Sequence, residues 1–373
     1  MNALENTDSD IGFNIPNSYY EFQNQFCEPN IKRVQVWIET QRDFNFWNSI
    51  LEGKISNTEF NIQSTETFVE DGKVGTGCSR ILYLVSKGNI ELGKNSIVCI
   101  DSDYYCISKL MNSSFDHSTQ FHTAIDIITD YSKNFVFRTL VHSKESVFYK
   151  HEFLNDTLNF CTSSNKDNLD FCLYEILSEI SKIIMKYFVA ILNLYSKNKI
   201  DISQRGTLLK AMITEISKIN QLSCENFLDL EKFKSSSSFI NITKNINHSY
   251  LTLIEKYNEN PADLDVLVDN LKSFSINEKN LFFFLRGHDI SELISGISNS
   301  YIKYIKTESI KKMRTTLLAK NCSEAQIEAQ VRDVSGCYRS NILPAIFDRN
   351  YQNIHKNEYI NSVFNCINDC ITT

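Results

Sequence analysis

The sequence predicts an α/β domain built on a parallel sheet, followed by an all-helical C-terminal domain. Three observations carry this. Short apolar runs alternate with helical periodicity over about 110 residues, which is the pattern of strand–helix–strand units with right-handed crossovers. From Leu173 onward the apolar spacing is that of helices alone. The 373 residues include only 4 Pro and 11 Gly, so the chain has few obligatory turns, which disfavours an all-β sandwich.

The elements follow in order. Residues 1–29 are polar and irregular and read as a lead-in. Val34-Gln35-Val36-Trp37-Ile38 is β-branched and aromatic, a buried strand. Asp43 to Leu51 places Phe44, Phe46, Trp47, Ile50 and Leu51 at helical spacing, with Asp43 at the positive N-terminus. A second strand is expected within Phe60 to Phe68, then a loop marked by Gly72, Gly75 and Gly77. Ser79 to Lys87 reads as a helix closed by Gly88. Ile97-Val98-Cys99-Ile100 is a continuous apolar run typical of a central parallel strand. A short helix from Tyr104 to Met111, a polar loop and a strand from Phe135 to Val141 complete a domain over 30–155.

Residues 156–170 read as a linker and 171–373 as the helical domain. Its first helix carries the stripe from Leu173 to Tyr195, and its second runs from Ser203 to Leu222. Ser235 to Ser238 reads as a loop. Tyr250 to Tyr257, Asp263 to Phe274, Ser291 to Lys320 and Ser323 to Val334 are further helices.

Composition excludes several function classes. A net charge of −7, from 38 basic and 45 acidic residues, rules out a globally basic nucleic-acid binder but not a local basic patch. The 11 cysteines form no C-x-x-C pair, so free thiols in a reducing cytoplasm are expected. The first ten residues lack a basic region, so no signal peptide is expected. The most apolar stretch, Ile183 to Tyr195, is interrupted by Lys186 and is too short for the ~20 apolar residues of a membrane span.

Chemistry concentrates at two strand ends. Open parallel sheets place ligands beyond the carboxyl ends of their strands. Val34–Ile38 runs into Glu39, and Ile97–Ile100 runs into Asp101 and Asp103. Neighbouring strands lie ~4.8 Å apart, so Glu39, Asp101 and Asp103 would converge if these two strands pair. An extended Asp-x-Asp would also point both carboxylates the same way. Such a cluster needs a cation or a shared proton. Hard oxygen donors without His or Cys select Mg²⁺ or Mn²⁺, the equipment of phosphodiester chemistry. The plainer reading is that Asp-x-Asp caps the next helix and Glu39 faces solvent.

The order of these motifs resembles the Toprim-like nuclease family of bacterial anti-phage systems. Trp37-Ile38-Glu39-Thr40-Gln41-Arg42-Asp43, followed by Phe44, Phe46 and Trp47, is similar to its first motif, with Thr40 in place of the usual glycine. Asp101 to Tyr104 is similar to its second. His142-Ser143-Lys144-Glu145-Ser146 is similar to its third, with Ser146 in place of the usual Asn. Leu285-Arg286-Gly287-His288-Asp289 is similar to a late Gly-His element. The resemblance covers about 30–155 well and the helical half loosely. It implies metal-dependent cleavage of nucleic acid, RNA such as tRNA favoured over DNA, by the effector of a defence system. It also implies an ABC-type ATPase as partner, and it leaves homodimerisation open. Glu39 would be a metal ligand or general acid–base, Asp101 and Asp103 metal ligands. Glu145 is a further catalytic candidate that could equally be structural. The alternative function is a catalytically silent Toprim-like scaffold that binds the ATPase or nucleic acid. A topoisomerase would need a further large domain bearing a tyrosine nucleophile.

Three other signals need weighing. Gly88 to Asn95 nearly matches a phosphate-binding loop, but it precedes a strand and has Asn95 where Ser or Thr must stand. His288 is either a phosphate contact or proton shuttle, or an ordinary loop histidine. Within the expected helix Ser291 to Lys320, the stretch from Tyr301 to Lys320 carries Lys303, Lys306, Lys311, Lys312 and Arg314 with Glu308 as its one acid, a candidate nucleic-acid surface or a solvated face.

Overall fold

The structure, a computed structural model, describes residues 16–25, 31–67, 77–113, 134–163, 171, 173–339 and 341–372. Phe68, Gly72, Gly75, most of the polar loop before the fourth strand and residues 164–170 of the expected linker lie outside them. Two compact units emerge. One takes the described residues up to Asp101, the fourth strand and the chain from Asn361. The other takes Ser102 and the helix after it, and Thr139–Ile360. The expected segments 30–155 and 171–373 therefore each contribute to both units.

The first unit holds a four-stranded parallel sheet of order β2-β1-β3-β4. Its strands are β1 (Lys32–Ile38), β2 (Thr58–Ser64), β3 (Ser96–Ile100) and β4 (Val136–Arg138). Register pairs Val34 with Phe60, Val36 with Ile97, and Cys99 with Phe137. β1 from Val34 and all of β3 are buried, as continuous apolar runs require in a sheet covered on both faces. β2 alternates because it is an edge strand. α2 (Phe44–Leu51) links β1 to β2 and buries Phe46, Trp47, Ile50 and Leu51. Beside Trp37, Val98 and Ile100 pack Ile81 and Leu84 of α3 (Cys78–Ser86) and Tyr20 of α1 (Asn17–Gln25). The indole of Trp37 donates to Ser96 Oγ at 3.2 Å, which lets its polar end be buried. The presence of α1 corrects the expectation of an irregular lead-in across 17–25.

β4 is shorter than expected. Leu140 adopts φ 64°, a left-handed conformation that ends the extended run despite the strand-like Thr139 and Val141 around it. Thr139 Oγ1 donates to Val141 O at 2.8 Å and accepts from Ser102 N at 3.1 Å, fixing the turn.

The second unit contains α4 (Tyr105–Met111), α5 (Lys144–Val147), α6 (His151–Thr162), α7 (Leu173–Ser196), α8 (Ile202–Ser217), α9 (Cys224–Phe227), α10 (Leu230–Ser235), α11 (Ser237–Tyr257), α12 (Pro261–Ser273), α13 (Gly287–Ala319), α14 (Glu324–Gly336) and α15 (Ile342–Asn350). A last helix, α16 (Glu358–Thr372), continues into the first unit. α7 is its centre, burying most of its length against α8, α11, α12 and the apolar turn Leu281–Phe284. Just beyond α7, Glu259 is nearly fully buried, with Lys197 Nζ at 3.0 Å, Lys199 Nζ in contact and Asn193 Nδ2 at 3.0 Å. Two expected irregular stretches are helical. α6 extends through Thr162 into the expected linker. The expected loop Ser235–Ser238 narrows to Ser236, whose hydroxyl accepts from Phe239 N and caps a helix that already begins at Ser237.

Candidate functional site

Parallel pairing brings the carboxyl ends of β1 and β3 side by side, and with them Glu39 and Asp101. Glu39 Oε1 accepts the Asp101 backbone N–H at 3.0 Å. The Cys78 thiol at the start of α3 donates to the same oxygen, Sγ–Oε1 2.8 Å, and lies 3.6 Å from the Asp101 carbonyl. Gly77 makes this approach possible. It sits at φ 62°, ψ −140°, a conformation essentially closed to side chains, and a Cβ there would lie 3.0 Å from Glu39 Oε2. Arg138, buried at the end of β4, donates from Nη1 to the Asp101 carbonyl at 3.2 Å. The strand-end carboxylate is thus gripped by a backbone amide and a thiol, and the peptide that carries the other carboxylate is held by a guanidinium.

The turn after β1 is fixed locally. Asp43 Oδ2 accepts from Thr40 N at 2.9 Å and Thr40 Oγ1 at 3.0 Å. Gln41 N donates to Glu66 Oε2 at 2.9 Å. Thr40 sits at φ −137°, ψ 158°, ordinary extended backbone, so this chain has no conformational need for the glycine that the resemblance would place there.

Asp103 and Glu145 belong to the helical unit. Asp103 is exposed, adopts φ 47°, and donates its N–H to His142 O at 2.8 Å. The backbone is not extended there, so the expected alternation that would align it with Asp101 does not apply. Capping of α4 falls to Ser102, whose Oγ accepts from Cys106 N at 3.2 Å. Glu145 lies in α5, with Oε1 3.6 Å from Lys144 Nζ. Its Oε2 would lie 3.1 Å from a Cβ placed on Gly287, and Ser143 Oγ only 2.0 Å from it. The Ser-x-Glu and Gly-His elements therefore meet at the start of α13, with His288 exposed one residue on. Among the described residues, no three His, Cys, Asp or Glu side chains form a group that could hold a metal ion.

The basic helix is α13. Lys303, Lys311 and Lys312 are exposed and Lys306 is half-buried. Arg314 is not an open cation. Its guanidinium contacts Glu328 and lies 3.6 Å from Glu324, both on the returning α14. The spacing signal missed this because the compensating acids come from the next helix. Gly88 to Asn95 precedes β3, as the sequence pattern expects, with a Gly93–Ser96 bridge closing the turn into the strand.

No family model, curated protein or solved structure matches the chain. No described helix is long and apolar enough to cross a membrane.

Sequence reasoning did not single out Gly77, Cys78 and Arg138. Gly77 was legible as a loop residue, but nothing local ties it to Glu39, nearly forty positions earlier in the chain.

Proposed function

We propose that this chain is a metal-dependent nuclease of Toprim-like type, the effector of an anti-phage defence system, acting on RNA such as tRNA. One observation carries the reading. Glu39 and Asp101 end adjacent central strands of a parallel sheet, where open α/β sheets bind ligands. The hard oxygens of two carboxylates suit Mg²⁺ or Mn²⁺, which is commonly held by one or two such groups and completed by water and phosphate. When bound, the ion would neutralise developing phosphoryl charge. Cys78 and the Asp101 amide orient Glu39, and Arg138 fixes the peptide of Asp101. Glu39 is assigned to hold the ion or to move a proton at its carboxylate. Asp103→Ala and Glu145→Ala test the two remaining carboxylates that the resemblance names. An ABC-type ATPase is the proposed partner.

The experiment is cleavage of tRNA by the purified protein with Mg²⁺ and with EDTA. Glu39→Ala and Asp101→Ala should each lose about 100-fold or more of the rate while melting cooperatively. Wild-type rates in either variant would remove the site. A second reading, a catalytically silent scaffold, is favoured by the left-handed Asp103, which lacks the extended backbone that the Asp-x-Asp pattern calls for. Metal-dependent cleavage that Asp101→Ala abolishes decides against it.

A further inference from the structure

A second constellation lies wholly within the helical unit. His142 is 5% exposed, and its Nδ1 is buried without a hydrogen-bond partner. A buried, unsatisfied polar atom costs roughly 1–3 kcal/mol and asks for an explanation. The surroundings of this ring are cationic. Burial, then Arg286, Arg205 and His288, hold its pKa down to about 3, so the imidazole is neutral among three basic side chains. The edge of Tyr104 meets the ring at 4.5 Å between centroids. The Arg205 guanidinium is stacked 5.2 Å from the Tyr104 ring and 4.2 Å from the Tyr195 ring, and no described carboxylate forms an ion pair with it. Arg286 and Gly287 begin α13, a 33-residue helix whose N-terminus carries partial positive charge. The acids close by are Glu145, whose Oε2 would lie 3.1 Å from a Cβ on Gly287, and Asp289, 4.0 Å from Arg286 Nη1, with Asp103 and Glu292. None of them is a hydrogen-bond partner of His142 Nδ1.

We propose that His142, Arg205, Arg286 and His288 form an oxyanion seat at the start of α13 that takes a phosphate group. Guanidinium groups match phosphate in charge and in forked geometry, and aromatic stacking pre-orients Arg205 for that task. One phosphate oxygen accepts from His142 Nδ1–H in the corresponding tautomer, and the others face Arg205 and Arg286. Because Arg286 and His288 are exposed, the ligand enters from their side. The phosphate belongs either to a nucleic-acid strand or to a small free phosphate. This seat goes beyond the carboxylate pair, since it requires neither metal nor cleavage.

The test uses the full chain in EDTA, which silences metal chemistry and separates this proposal from the nuclease reading. Two probes are used, a ten-nucleotide single-stranded RNA followed by fluorescence anisotropy and inorganic phosphate as ligand and competitor. Arg205→Gln should weaken RNA binding at low salt by about ten-fold or more and reduce the salt slope by ~0.7 per lost contact. The Arg286→Gln, His288→Gln pair changes exposed side chains only, should act in the same direction, and serves if Arg205→Gln fails to fold. RNA binding that phosphate displaces assigns the seat to a strand. Phosphate binding without RNA binding, lost in the variants, assigns it to a free phosphate. Variants equal to wild type toward both probes, or wild type that binds neither, overturn the proposal.

Discussion

Gly287→Ala is the sharpest structural perturbation available, because two separate sequence elements meet at that α-carbon. An added Cβ would lie 2.0 Å from Ser143 Oγ, 3.2 Å from Ser143 Cβ and 3.1 Å from Glu145 Oε2. Ser143 is 6% exposed and its hydroxyl already lies 3.4 Å from Ser146 Oγ, so it has little room to turn away. Overpacking of this kind costs roughly 1–3 kcal/mol, while alanine in a helix returns at most about 1 kcal/mol over glycine. The net expectation is a loss of about 1–2 kcal/mol, read as a lower urea midpoint at unchanged slope. Ser143→Gly removes two of the three crowding atoms, leaving only Glu145 Oε2 at 3.1 Å, and, at the cap of α5, should itself cost only a few tenths. In the double variant the two changes should therefore compensate, with a coupling of about 1 kcal/mol or more. Strictly additive effects would refute the contact. A Gly287→Ala protein as stable as wild type would refute the packing argument altogether.

Three further outcomes are expected. If Glu39 and Asp101 hold a divalent ion, Mg²⁺ at 100 times its dissociation constant should stabilise the wild type by about 2.7 kcal/mol in a thermal melt, and Asp101→Asn should lose that response. Burial raises the pKa of Glu259, but hydrogen bonds from Lys199 and Lys197 outweigh this and leave it lowered. Its contribution is then present above the ordinary carboxylate pKa and lost as pH falls through the depressed one. Glu259→Gln should cost roughly 1–3 kcal/mol at pH 7, with the gap to wild type closing in acid denaturation series below pH 4.5. On α13, replacing Lys306 and Lys311 by Gln should flatten the salt dependence of RNA binding if that face meets phosphates. Arg314→Gln should change binding less and cost at most about 1 kcal/mol of stability, because its partners are Glu324 and Glu328.

Burial was the legible part of the sheet. Ile97–Ile100 is apolar without a break and Val34–Ile38 apolar but for the buried Gln35, because both faces of β1 and β3 are covered, and their pairing placed Glu39 beside Asp101. Backbone sign was not legible. Asp103 and, against its residue type, Leu140 are left-handed, held by contacts to distant segments such as the His142 N–H to Phe283 O bond. That is why the expected β4 ran too long and the expected Asp-x-Asp alignment failed. Polar runs misled in the other direction. Serines 235–238 suggest a loop, but one capped serine reverses the chain and the rest are helical. Partners supplied from elsewhere were invisible too, as with Cys78 at Glu39 and the α14 acids at Arg314.

The membership of residues 361–372 in the sheet unit sets a timetable for synthesis. Lys32, the first residue of β1, donates from Nζ to the carbonyl of Ile371, 339 positions later. β1 therefore emerges from the ribosome long before the segment it binds. At about 5–20 residues per second that wait is roughly 20–70 s. Throughout it the unit bearing Glu39 and Asp101 lacks residues 361–372, so the sheet waits on a segment made more than 300 positions after its first strand.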